Sequence, residues 1–335
     1  MSKEGKKSQK PDNTAFTQQR LPAWQPVLSA GIVIPLFFFI GLAFIAIGLG
    51  LYFSSESITE IELDYTGDNA SFSCSNCYNK CSGINGSVDK NYSCCSCAVD
   101  FNVSSFIKGP IYMYYGLYGF YQNHQKYMAS RDDKQLYGDS SSLLNPDTVC
   151  KPYHNVSNIP IAPCGSIANS LFNDSFQLFY LTNGSEVSLS TRGIAWWTDH
   201  NVKFKNPSTF NGTVNPPNWP KTAKDLDSDP TNTGFVNEAF IVWMRSAALP
   251  NFRKLYGRID SGNFSNGLYA GRYRVNITYN FPVGSFQGRK LVIFSSVSWM
   301  GGKNLFLGIA YLAFGAVCFA TAVFLCIIYI KYRTK

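Results

Sequence analysis

Histidine is nearly missing from this chain: His124, His154 and His200 are the only three in 335 residues. None belongs to an HExxH motif, and the chain has neither a GxSxG nor a Walker A sequence. The patterns that hold a catalytic zinc, a nucleophile elbow or a cradled phosphate are therefore absent. Each histidine reads as a surface or packing residue. No internal repeat runs through the chain, and only its Lys-rich first dozen residues read as disordered. One acidic run, DLDSDPTNTGFVNE, aligns Asp227, Asp229, Thr231 and Glu238 with ligand positions of a calcium loop. Asn232 stands where such a loop needs glycine, so a solvated Asp/Asn turn is expected instead.

Charge is also scarce, at 15% of residues, and is missing altogether from 27–53 and 304–330. Each run is longer than the roughly 20 apolar residues that cross a bilayer as a helix, so two transmembrane helices are expected. A cleaved signal peptide fits the first run poorly, because its apolar core is about twice the usual length. Residues 1–26 carry Lys3, Lys6, Lys7, Lys10 and Arg20 against Glu4 and Asp12, and 331–335 add Lys331, Arg333 and Lys335. These flanks hold +6 of the net +8, which keeps both termini cytosolic and attracts anionic lipid heads. The middle is nearly neutral at +2, so a nucleic-acid partner is not expected. Trp24 with Tyr52, and Trp299 with Tyr329, bracket the two helices as interfacial aromatics. The expected layout is a cytosolic tail (1–26), a membrane helix (27–53), a lumenal or extracellular domain (54–303), a second membrane helix (304–330) and a cytosolic tail (331–335).

Neither apolar run carries an Asp, Glu, Lys, Arg or His near its centre, as an ion pathway usually would. Both carry small residues: Ala46/Gly50 and Ala316/Ala320, with Gly41, Gly48 and Gly308. Such faces allow close packing, either of the two helices on each other or on a partner.

Six of the ten cysteines crowd into CSNCYNKCSGINGSVDKNYSCCSC, residues 74–97. Cys74, Cys77, Cys94 and Cys97 match a zinc-ribbon spacing, but ligation needs reduced thiolates, and disulfides need an oxidising compartment. Sequons decide the compartment. N-x-[ST] occurs at Asn69, Asn85, Asn91, Asn102, Asn155, Asn173, Asn183, Asn211, Asn263 and Asn276, every one between the two apolar runs. Chance would give about four. Two of the ten lie inside the cysteine cluster, which is therefore read as lumenal and disulfide-bonded, with no metal and no cofactor. Eight lumenal cysteines allow 105 pairings. The near-symmetric spacing suggests a nested ladder, Cys74–Cys97, Cys77–Cys95 and Cys81–Cys94, closing a two-stranded finger that turns near Asn85 and Gly86. Cys150 and Cys164 are left for each other, while Cys318 and Cys326 read as unpaired packing residues of the second helix.

Strand patterns dominate 54–303. RYRVNITYNFPV alternates, with Val275, Ile277, Tyr279 and Phe281 on one face and Asn276, Thr278 and Asn280 on the other. KLVIFSSVSWM reads as a more buried strand, and FQLFYLT and GIAWW as two more, with NGS (183–185) turning between them. Two stretches read as helices. YYGLYGFYQNHQKYMASRDD puts Leu117, Phe120, Tyr121, His124 and Met128 on one face, and NEAFIVWMRSAALP does so with Phe240, Trp243, Met244 and Ala247, ending at Pro250. The expected fold is a large, mainly antiparallel-β domain with a few helices, stapled by disulfides and flanked by two transmembrane helices.

Long blocks resemble the cell-cycle-control-protein-50 family: PDNTAFTQQRLPAWQP, YMYYGLYGFYQNHQKYMASRDDKQL, PIAPCGSIANSLFNDS, GIAWWTDHNVKFKNP, NTGFVNEAFIVWMRSAALPNFRKLYGRI and SWMGGKNLFLGIAYL. The resemblance covers the chain from about Pro11 to Lys331, and GLGLYFSS and RVNITYN are most like the family's B branch in vertebrates. Members are accessory β subunits of type-IV P-type ATPases, the lipid flippases. The resemblance thus implies a non-catalytic chain in a heterodimer with a catalytic ATPase that moves aminophospholipids to the cytosolic leaflet. It implies a role in that ATPase's export from the endoplasmic reticulum, its stability and its activity, with residence in the endoplasmic reticulum, Golgi and plasma membrane. The DKTG phosphorylation motif of the catalytic partner is absent here. The family's four-cysteine pattern falls on Cys74, Cys77, Cys95 and Cys97 with nested pairing, its second bridge on Cys150 and Cys164, and a family sequon on Asn173. Cys81 and Cys94 are additions to that pattern, which leaves the choice between Cys94 and Cys95 open. Arg20 and Trp24 are placed where the cytosolic tail would grip the ATPase. An alternative is a two-pass receptor or adhesion glycoprotein with a lumenal ligand; an enzyme lacks a recognisable catalytic constellation.

Overall fold

The computed structural model describes residues 10–22, 29–67, 73–81 and 95–333. They form two units, the terminal helices with their flanks and the segment Ser54–Asn304.

The first unit is built on helices Ala30–Glu56 and Leu305–Arg333, both apolar and long enough to span a bilayer. The two helices pack on each other through glycines. A Cβ added at Gly41 would stand 2.9 Å from the backbone nitrogen of Phe319, and one at Gly308 would stand 2.9 Å from the Cα of Tyr52. Only a residue without a side chain lets the backbones come this close. Phe44 stacks on Tyr311 beside them, with ring centres 5.1 Å apart. The Ala46/Gly50 and Ala316/Ala320 pairs take no part in this contact: all four residues are exposed, and Gly50 has open space beside it.

The second unit is a β-sandwich. Its described residues hold strands β1 (Glu60–Asp64), β2 (Cys95–Val103), β3 (Ile107–Lys108), β4 (Ile111–Tyr118), β5 (Asn155–Val156), β6 (Ile159–Pro160), β7 (Ser175–Tyr180), β8 (Ser185–Val187), β9 (Phe252–Ile259), β10 (Gly267–Leu268), β11 (Gly271–Tyr279) and β12 (Arg289–Ser295). One antiparallel sheet runs β1-β12-β4-β9 and the other β2-β11-β7-β8. Their inner faces meet in one core: Phe101 of β2 stacks on Phe294 of β12 at 5.3 Å, and Phe176 of β7 meets Tyr256 of β9 edge-on at 4.9 Å. The mainly antiparallel fold class is as expected. β11 alternates as its sequence does, with Tyr273, Val275, Ile277 and Tyr279 buried and Arg272 and Arg274 exposed. β12 is buried along nearly its whole length. The turn after β7 returns the chain into β8.

Four expectations need correction. The first expected helix, 114–133, begins in strand β4 and is helical mainly over Gln125–Ala129. β4 lies between β12 and β9 and is buried or half-buried throughout, so its sequence is apolar on both faces and shows no alternation. GIAWW is not a strand, because its backbone hydrogen bonds go to a side chain described below. The cysteine finger is not two-stranded, since helix Ser75–Cys81 forms one arm and β2 the other. Helix Glu238–Met244 stops before Ala247 and Pro250, and its first residue, Glu238, is buried instead of lying in a solvated turn.

Candidate partner-binding surface

Two charged clusters fix the sandwich. Lys290 of β12 points into the core and donates to the Asp174 carboxylate at 2.7 Å and to the Phe281 carbonyl at 2.8 Å. Its ammonium also lies 3.0 Å from the ring centre of Tyr279. Asp174 accepts from the Tyr65 hydroxyl at 2.9 Å and, through its other oxygen, from the backbone N–H groups of Asn280 and Phe281 at 2.6 Å each. Burial pushes the Lys290 ammonium down to about 8, with Asp174 acting in the opposite sense. Both charges are thus answered by hydrogen bonds, which a buried ion pair requires.

The second cluster clamps helix Glu238–Met244 at both ends. The Glu238 carboxylate accepts from the backbone N–H groups of Gly193, Ile194 and Ala195 at 2.9, 2.7 and 3.0 Å. Those donors are thereby removed from any strand ladder, which is why GIAWW does not pair. At the other end, buried Lys254 donates to the carbonyls of Val242, Trp243 and Arg245 at 3.1, 2.6 and 2.7 Å. It serves the carbonyls that a helix C-terminus leaves open, and burial holds its ammonium well below the usual lysine range.

This clamped helix lines a groove of about 1060 Å³. Ile241 and Met244 join buried Leu136 and Phe204 as apolar lining, with Met128 and Val202 exposed among the lining residues. A π-helical turn, Asp199–Lys203, forms one side. Just before it, Trp196 and Trp197 are 64% and 71% exposed, an unusual setting for residues that interfaces favour as anchors. Arg245 lies over the Trp196 ring at 4.1 Å and reaches Asp199 at 3.5 Å, while Lys203 meets Asp199 at 2.7 Å.

The cysteines form the pairs Cys74–Cys97, Cys77–Cys95 and Cys150–Cys164. Cys81 is disulfide-bonded as well, while Cys94 lies outside the described residues. Cys318 and Cys326 are free thiols. Among the described residues, no group of three His, Cys, Asp or Glu is placed to hold a metal. Asn102, Asn155, Asn173, Asn183, Asn211 and Asn263 are exposed, whereas Asn276 is half-buried in mid-strand. Asn69, Asn85, Asn91 and Trp24 lie outside the described residues, and Arg20 is exposed and donates to the Asn13 side chain. The sequence reading missed the Lys290–Asp174 pair, the Glu238 clamp and the groove. A lysine opening the apolar run KLVIF was the available signal for the first.

The model of the LEM3 (ligand-effect modulator 3) family / CDC50 family matches residues 51–335. The chain belongs to the CDC50 family. This CDC50-family chain is 54% identical to Cell cycle control protein 50B of Homo sapiens, across 97% of its own length and 95% of that protein's. It is 53% identical to Cell cycle control protein 50A of Bos taurus, over 98% and 91% of the two chains. It is also 40% identical to ALA-interacting subunit 3 of Arabidopsis thaliana, over 97% and 88%.

Proposed function

We propose that this CDC50-family chain is the non-catalytic accessory subunit of a type-IV P-type ATPase that flips aminophospholipids, held with it as a heterodimer. Family membership across residues 51–335 carries the proposal, and the name of the Arabidopsis relative, an interacting subunit, supports it. The architecture suits the role. Two apolar helices joined by glycine contacts offer their outer faces to a membrane partner. A disulfide-stapled sandwich offers a rigid lumenal surface, with both termini in the cytosol and glycans on the sequons. Such a subunit alters the transport cycle only if it binds some conformations of the ATPase more tightly than others. Grip that is equal in all conformations supports stability and export from the endoplasmic reticulum, and leaves the cycle unchanged. Coexpression with candidate ATPases, followed by copurification and a test of phosphatidylserine-stimulated ATP hydrolysis, checks both halves.

A further inference from the structure

Resting on the proposed cytosolic placement of both termini, we infer that a crevice between the cytosolic ends of the two membrane helices holds one resident phospholipid with an anionic headgroup. The crevice, of about 520 Å³, is lined by Ala30, Val33 and Ile34 of the first helix and by Leu325, Ile328 and Tyr332 of the second. The sequence opens it there. Gly41 lies against the Phe319 backbone, Gly48 against Leu312 and Gly308 against Tyr52, which keeps the helices close. Phe38 and Phe319, with ring centres 5.4 Å apart, extend this seam toward the cytosolic end. Next stands Pro35, inside the helix. It leaves the Gly31 carbonyl without its helical donor, and a proline so placed bends a helix. No described atom lies within 4 Å of a Cβ added at Gly31, so the seam has ended by that point.

Depth and charge set the occupant. Leu325 and Lys331 are separated by about 9 Å along a helix, so the crevice opens near the boundary between acyl chains and headgroups. Its lining is almost wholly hydrocarbon. A void there forfeits dispersion contacts, and an acyl chain restores them. Tyr332 at the helix end suits the headgroup level. Lys331 is exposed, and Arg333 and Lys335 follow it in the chain. No Asp or Glu occurs in 13–55 or 304–335, so the cytosolic rim is uniformly basic. Basic pockets between membrane helices on this side suit anionic headgroups. A sterol carries no charge to answer such a rim. Transported cargo would need a polar path across the bilayer, which the crevice lacks, so the lipid is a resident of the cytosolic leaflet.

The test uses the full chain in phosphatidylcholine nanodiscs, titrated with phosphatidylserine that carries a photoactivatable acyl chain. Labelling of peptides holding 30–34 and 325–332 should saturate. Unlabelled phosphatidylserine should compete for it, and phosphatidylcholine should not. Val33→Trp, which fills the crevice with an indole, should cut this labelling about tenfold, the worth of a pair of buried methylenes. Leu42→Trp, at an exposed position outside the lining, is the control and should leave it unchanged. Lys331→Gln with Arg333→Gln should keep the labelling and erase the preference for phosphatidylserine. Labelling spread evenly over lipid-facing residues, Phe39 and Val317 included, marks ordinary annular lipid and overturns the inference. Equal competition by phosphatidylcholine also overturns it, as does labelling that Val33→Trp leaves intact. Loss of labelling in a copurified ATPase complex assigns the crevice to a partner helix and overturns it too. Protease digestion of the tails in sealed vesicles reads the topology separately. Lumenal tails would remove the cytosolic placement, and the inference with it.

Discussion

Lys290 and Asp174, 116 residues apart in the chain, form a 2.7 Å ion pair with both side chains shut off from solvent. The pair ties β12 of one sheet to the residue preceding β7 of the other. Such a pair adds little net stability over an apolar replacement, but losing one partner leaves the other charge stranded.

Asp174→Ala should therefore destabilise the domain by about 3–5 kcal/mol, enough to lower the yield of folded protein. Thermal unfolding of the detergent-solubilised chain measures the effect. Asp100→Ala, which removes the solvent-facing pair with Arg274, is the control and should leave the transition almost unmoved.

Alkaline pH should strengthen the fold. Folded Lys290 releases its proton near pH 8, whereas the unfolded chain holds it to about pH 10.4. Between those limits the unfolded state binds more protons, so stability rises with pH. Buried Lys254 acts in the same sense. Tyr65 and Tyr115, raised by burial, act oppositely, but only above about pH 10. The unfolding temperature should climb from pH 7.5 to 9.5, and Lys290→Met should flatten the climb. A fall over that window would contradict the assignment.

Glu238→Gln tests the link from core to surface. A neutral amide has one oxygen to replace a carboxylate that serves three backbone donors. The loss should be about 1–3 kcal/mol. It should also loosen residues 193–195, whose N–H groups lose their acceptor, and amide hydrogen exchange should be faster there than in the unaltered chain.

The disulfides should differ in worth. Cys150–Cys164 alone closes its loop, of separation 14, and its paired replacement by alanine should cost about 3 kcal/mol. Cys77–Cys95 nests inside Cys74–Cys97, so removing it frees only the short spacers between the rungs and should cost about 2 kcal/mol. Unfolding of the two double-alanine chains gives the order.

The sandwich was legible wherever a strand has one wet face, as in β11, where polar and apolar residues alternate. It was obscured in β4, whose two covered faces erase the alternation, and by Leu117, Phe120, Tyr121, His124 and Met128, which fall by coincidence at helical spacing across the end of β4 and the residues after it. Of these, Leu117 is core, whereas Tyr121, His124 and Met128 are exposed. GIAWW has the composition of a strand, yet a carboxylate 43 to 45 residues away takes its N–H groups. No local pattern encodes that distance. The membrane spans and the cysteine cluster were the easiest to read, since length, charge and spacing are local properties. The groove was hidden because residues from 128 to 246 meet there only after folding.

Copurification is the measurement to make first: this chain coexpressed with each candidate type-IV P-type ATPase, solubilised, and assayed for phosphatidylserine-stimulated ATP hydrolysis. A stoichiometric complex with lipid-stimulated hydrolysis is the predicted result. A glycosylated, disulfide-bonded chain that runs alone in every pairing would contradict it.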